Sequence, residues 1–157
     1  MLARMESTLF DDVGDGLRGL VPLELGGFHT SIRRYGIKVW FDSVTPAKEH
    51  YEAQVIGANA VDHAKVLALE IGFHAEHPKA EDNEAVLSRL TAAGARWRPM
   101  VGPEAEIGLF LGRATAWRRV SETWADPDLS QPGVAFEVAT RLTDYITALE
   151  PIRRARP

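Results

Sequence analysis

Residues 65–78 read KVLALEIGFHAEHP. Leu67, Leu69, Ile71, Phe73 and Ala75 are apolar and alternate with Ala68, Glu70, Gly72, His74 and Glu76. Successive side chains of a strand point to opposite faces. This stretch is therefore a strand with one apolar side and one small or ionisable side. It is the best candidate in the chain for both a core strand and a functional surface.

Working outward, residues 49–57 alternate in the same way. Tyr51, Ala53 and Val55 face one way; His50, Glu52, Gln54 and Ile56 face the other. Residues 29–42, HTSIRRYGIKVWFD, form a long strand candidate with Ile37, Val39 and Phe41 on one face and Arg34, Lys38 and Trp40 on the other. Gly36 interrupts it and reads as a bulge. Short connections make these three strands an antiparallel meander, since parallel pairing needs a crossover.

Before the meander, Thr8 can cap a helix with Asp11 and Asp12 in its first turn, and Leu9, Phe10, Val13, Leu17 and Leu20 share a face. Gly14 and Gly16 each cost that helix about 1 kcal/mol relative to alanine, so it leans on packing. After the meander, a second helix starts near Asp82 and runs to about 97, with Gly94 as an alternative C-cap. Residues 105–112 and 114–124 read as two more strands. A last helix starts near Pro132 and ends at about Glu150, where Pro151 closes it and leaves a short, mobile basic tail over 151–157. The predicted fold is a single α+β domain over 1–157. Its mainly antiparallel sheet has the order α-β-β-β-α-β-β-α, with the helices packed on one face.

The 157 residues are 45% hydrophobic and 25% charged, the composition of an ordinary globular chain. A net charge of −4 argues against nucleic acid as partner. The absence of cysteine excludes disulfides, thiolate metal sites and a cysteine nucleophile. No stretch approaches the roughly 20 apolar residues of a membrane span. The N-terminus turns acidic too soon for a signal peptide, so a cytoplasmic location is expected. Four tryptophans and a long terminal helix make a homodimer an option.

Paired in simple register, the meander places Arg34, Lys38, Trp40, His50, Glu52, Gln54, Glu70, His74 and Glu76 on the side opposite the core, and Arg34, Lys38, Trp40, Glu52, Glu70 and His74 are put forward as its binding residues. This polar face is the candidate binding surface, for a protein partner or a small ligand, with Glu70 at its centre. Trp40 supports it, because large aromatics on a wet face are common at interfaces. No catalytic residue, cofactor or metal is assigned. His74-Ala-Glu-His77 matches no metal-ligand spacing and would need His50 or Glu52 to converge on it. The alternative is a metal-dependent nuclease or phosphoesterase of restriction-type fold, with Glu52 and Glu70 as its acids. Such sites place a lysine two residues after the second acid, where this chain has Gly72. Arg113, Arg118 and Arg119 beside Trp117 form a small basic cluster, read as pairing with local acids such as Glu122 or Glu137.

From about residue 66 onward the layout LALEIGF, AEDNEAVLSRL, WRRVSE and FEVATRLTDYITALEP resembles a family of uncharacterised bacterial domains. These are found at the C-terminal end of predicted restriction or DNA-modification proteins. The resemblance implies an accessory or binding role and carries no catalytic residues. The leading expectation is a non-enzymatic binding domain that uses its polar sheet face.

Overall fold

The computed structural model describes the chain except residues 1, 44, 46, 113–115, 156 and 157; in the first helix it describes side chains from Leu9 onward. Helix α1 (Leu2–Leu20) leads into strands β1 (His29–Arg33), β2 (Gly36–Trp40), β3 (Glu49–Gly57) and β4 (Leu67–Ala75). Helices α2 (Ala80–Ala92) and α3 (Gly94–Val101) follow, then β5 (Glu106–Leu109), β6 (Arg118–Ala125) and α4 (Val134–Arg154). The strands form one antiparallel sheet in the order β1-β2-β3-β4-β6-β5. The α+β class and the antiparallel sheet are as the sequence predicts.

β4 lies near the middle of the sheet, between β3 and β6. Leu69, Ile71, Phe73 and Ala75 are fully buried, in one cluster with Phe10, Val13 and Leu17 of α1, Trp97 of α3 and Leu142, Tyr145, Ile146 and Leu149 of α4. Each large apolar side chain buried there contributes about 1.5–3 kcal/mol. Gly14 and Gly16 of α1 have a packing role. A Cβ on Gly16 would lie 2.9 Å from the Cβ of Ala139, so α1 crosses α4 at a distance that only glycine allows.

Four boundaries differ from expectation. The long first strand is a hairpin: residues 34 and 35 turn the chain, Arg33 pairs with Gly36, and Gly36 opens β2 instead of forming a bulge. α1 begins before Thr8, whose side chain lies outside the described residues. The second helix breaks at Ala93 into α2 and α3, and α3 accommodates Pro99 before ending at Gly102, whose φ of 86° suits glycine. Finally, α4 does not stop at Pro151. A proline forfeits its own backbone donor, but the following turn is held by burial of Ile152 and Arg153. Arg153 pairs with Glu150 at 2.7 Å and Asp42 at 2.8 Å, so the expected mobile tail is packed as far as Arg153. Among the described residues, no helix is long and apolar enough to cross a membrane.

Candidate metal centre

The register of β3 on β4 sets the site. His50 stands opposite His74, Glu52 opposite Gly72, and Gln54 opposite Glu70. All project from the face away from the helices, since Tyr51, Ala53, Ile71 and Phe73 take the other face. Just past β4, the backbone N–H of Glu76 donates to the carbonyl of Lys48 at 2.7 Å. Pairing thus continues one step further, and Glu76 keeps the face of His74.

Four side chains converge there. His50 Nε2 lies 3.1 Å from Glu52 Oε1 and 3.4 Å from Glu76 Oε2. His74 Nδ1 lies 3.1 Å from the same Glu52 oxygen and 3.2 Å from the same Glu76 oxygen. The four atoms fall within 4.8 Å of one another. Two nitrogens and two oxygens therefore alternate around one point. Tetrahedral bonds of about 2.0–2.2 Å would separate donors by about 3.3–3.6 Å; the four nitrogen–oxygen separations, 3.1–3.4 Å, fall close to this, and all the separations lie within 4.8 Å.

The far side of each ring is also fixed. His50 Nδ1 lies 3.0 Å from the carbonyl oxygen of Ala47. A carbonyl can only accept, so Nδ1 carries the hydrogen and Nε2 is the atom turned to the carboxylates. His74 Nε2 lies 3.0 Å from Glu70 Oε2, which leaves Nδ1 facing Glu52 and Glu76. A ring whose outer N–H is tied to a carboxylate or backbone carbonyl is the arrangement that orients histidine ligands in metal sites.

The electrostatics favour charge despite burial. Burial raises the Glu52 carboxyl, but hydrogen bonds from His50 and His74 hold it at about 2. Burial opposes charge on Glu70 as well, yet the His74 ring, Ser121 and Gln54 hold it at about 2. Glu76 is well below the ordinary carboxylate range for the same balance of burial against the two histidines. His74 is well above its ordinary value because Glu70, Glu52 and Glu76 outweigh burial, and His50 is raised by Glu52 and Glu76 against the same cost. The balance favours ionised carboxylates against protonated imidazoles across the cluster.

Glu52 and Glu76 open onto a cavity of about 430 Å³. Lys38 and Gln54 line it from the sheet, Arg33, Arg34 and Tyr35 from the β1–β2 turn, and Phe110 and Trp117 from the chain between β5 and β6. The Phe110 ring packs edge-on against His74 at 4.7 Å between centroids, and against Trp117 at 5.2 Å. These rings cover what the sequence suggests is an open, wet face.

Of the predicted surface, Arg34, Lys38 and Glu52 line the cavity. His74 is fully buried beneath it. Glu70, the expected centre, is also fully buried, and its oxygens accept from Gln54 at 2.9 Å, His74 at 3.0 Å and Ser121 Oγ at 2.7 Å. It orients His74 and is not among the residues that line this cavity. Trp40 is only 3% exposed; it stacks on His29 and donates to the Ser43 carbonyl, so it is not a wet-face contact. Glu70, the second acid of the nuclease alternative, does not join Glu52 in the quartet; the two acids contact different nitrogens of the His74 ring. Position 72 has no room for the lysine either, because a Cβ there would lie 2.3 Å from the Val120 carbonyl oxygen. His77 leaves the cluster and pairs with Glu49 at 2.8 Å. Arg118 and Arg119 pair with Glu84 and Glu106, not with Glu122 or Glu137, and Arg113 lies outside the described residues.

His50 and Glu76 lie on the predicted polar face but are absent from the six residues put forward for binding. Their signal is a repeated H-x-E, His50-Tyr-Glu52 and His74-Ala-Glu76, once on each of two neighbouring strands. Because His50 opposes His74, a local two-fold axis through that pair relates the two triplets. Comparison of the chain with family models, with curated proteins and with solved structures finds no match.

Proposed function

We propose that the chain is a metal-binding domain that holds one divalent transition ion of the zinc class through His50 Nε2, His74 Nδ1, Glu52 and Glu76. The observation that carries this reading is the alternation of two imidazole nitrogens with two carboxylate oxygens at 3.1–3.4 Å, each ring tied from behind to an acceptor. An N₂O₂ set suits borderline dications better than the hard, all-oxygen preference of magnesium or calcium. Protons and the ion compete for the same lone pairs. The role is one of binding, in keeping with the accessory role implied by the resemblance to restriction-associated domains. Glu70 and Glu52, the acids of the nuclease alternative, serve here as the support of one ligand and as another ligand.

Metal-stripped protein titrated with Zn²⁺ in a calorimeter is expected to bind one equivalent. Co²⁺ in its place is expected to give the strong visible bands of a four-coordinate ion. The double variant Glu52→Gln/Glu76→Gln is expected to lose both signals while remaining folded. A flat titration of the wild-type chain from micromolar to millimolar zinc would dispose of the reading.

A further inference from the structure

We infer that the cavity above the quartet takes a small aromatic acid, its carboxylate or phosphate head toward the metal and Lys38 and its ring against Phe110 and Trp117. The inference rests on the metal reading of the quartet. Glu52 and Glu76 are the acids that line the cavity, and a dication held between them balances their charge. What remains at the wall is cationic. Arg33 and Arg34 line it and form no ion pair among the described residues. Lys38 Nζ stands 3.8 Å from Glu76 Oε1, the carboxylate oxygen not shared with the histidines. An oxyanion placed here would meet an ammonium and two guanidiniums beside carboxylates that the ion neutralises, and guanidinium forks match carboxylate and phosphate geometry.

The remaining wall is aromatic. Phe110 and Trp117 are half-buried and set edge to face. On the hairpin turn, the Tyr35 ring is 47% exposed, with the Arg34 guanidinium 5.2 Å from its centroid. A volume of about 430 Å³ is far more than an inorganic anion fills, and it falls in the ~300–1,000 Å³ range of small-molecule pockets. Charge at the floor and rim with flat apolar walls between them describes a ligand with an anionic head and a planar body.

The test is calorimetry on the zinc-loaded full chain with benzoate and phenyl phosphate, and with acetate and inorganic phosphate as head-only probes. Trp117 fluorescence supplies an independent signal. At least one aromatic acid is expected to bind 1:1, tenfold or more tighter than its head-only counterpart; which one binds distinguishes a carboxylate from a phosphate ligand. Arg34→Ala and Lys38→Gln are each expected to weaken it about tenfold, and Phe110→Ala to narrow the gap between aromatic and head-only probes. Zinc uptake with no response to either aromatic acid overturns this inference and leaves the metal reading standing. Equal binding with and without zinc overturns it as well. Failure to take up zinc at all overturns both.

Discussion

On the helix side of the sheet, the buried carboxylates of Glu122 and Glu150 meet arginines; on the other side, Glu52 and Glu76 meet histidines. Glu150 accepts from Tyr51, from Nε and Nη2 of Arg153, and from Arg154. Glu122 accepts from Arg141, Tyr145 and Trp124. An arginine cannot give up its proton in a protein, so these are permanent pairs with no place for another cation. The imidazoles of His50 and His74 can exchange a proton for a metal ion. Similar degrees of burial thus yield a fixed brace on one face and, on the proposed metal reading, an exchangeable centre on the other.

The largest test of that division is Arg153→Met. It leaves Glu150 buried with much of its charge unanswered, and a loss of about 4 kcal/mol in urea unfolding is expected, since breaking a buried pair costs about 3–5 kcal/mol. The loss should be the same with and without zinc; recovery on adding zinc would break the comparison. Next in size is the effect of zinc on the wild-type chain. At a hundredfold excess over Kd, stability should rise by about 2.7 kcal/mol. For a chain of this size each kcal/mol raises Tm by about 2–4 °C. Glu76→Gln should lose most of that gain. An equal gain in the variant would remove Glu76 from the centre.

The smallest effect concerns acid. Burial raises the Glu122 carboxyl, but the Arg141 hydrogen bond and the Trp124 donor outweigh it, and its value lies below that of an ordinary glutamate. A depressed carboxylate contributes stability that is fully present above the unfolded value of about 4.3 and is lost as pH falls through the folded one. Urea unfolding followed from pH 6 downward should therefore show a shallower acid decline in Glu122→Gln than in wild type. Identical slopes would mean that the Glu122–Arg141 pair contributes nothing.

Much of this sheet is legible from residue types, because a strand's period of two leaves its mark in Leu67, Leu69, Ile71 and Phe73. The strand over 49–57 is legible for the same reason. The turn at Arg34 and Tyr35 is not, since neither residue is a usual turn former and Gly36 beside them draws the eye to a bulge. Helix continuation through Pro151 depends on Asp42 and Glu49, more than a hundred positions away, holding Arg153. The polar face itself was readable, but its covering was not: Phe110 returns over His74 from a distant connection. Nor was the burial of Trp40 against His29 and of Glu70 among Gln54, His74 and Ser121, which makes both of them supports instead of surface contacts. The metal quartet needs one more fact, the cross-strand partner of each residue, before the two H-x-E triplets become one object.

The direct opposition of His50 and His74 has a consequence for assembly of the sheet. Sliding β3 along β4 by two residues would keep every side chain on its inward or outward face, so apolar patterning discriminates poorly between the two alignments. The quartet discriminates sharply, because such a slide parts the histidines and scatters the carboxylates. An ion gathered by these four side chains would select one alignment of the longest pairing in the sheet, acting as a ruler for the chain as it folds.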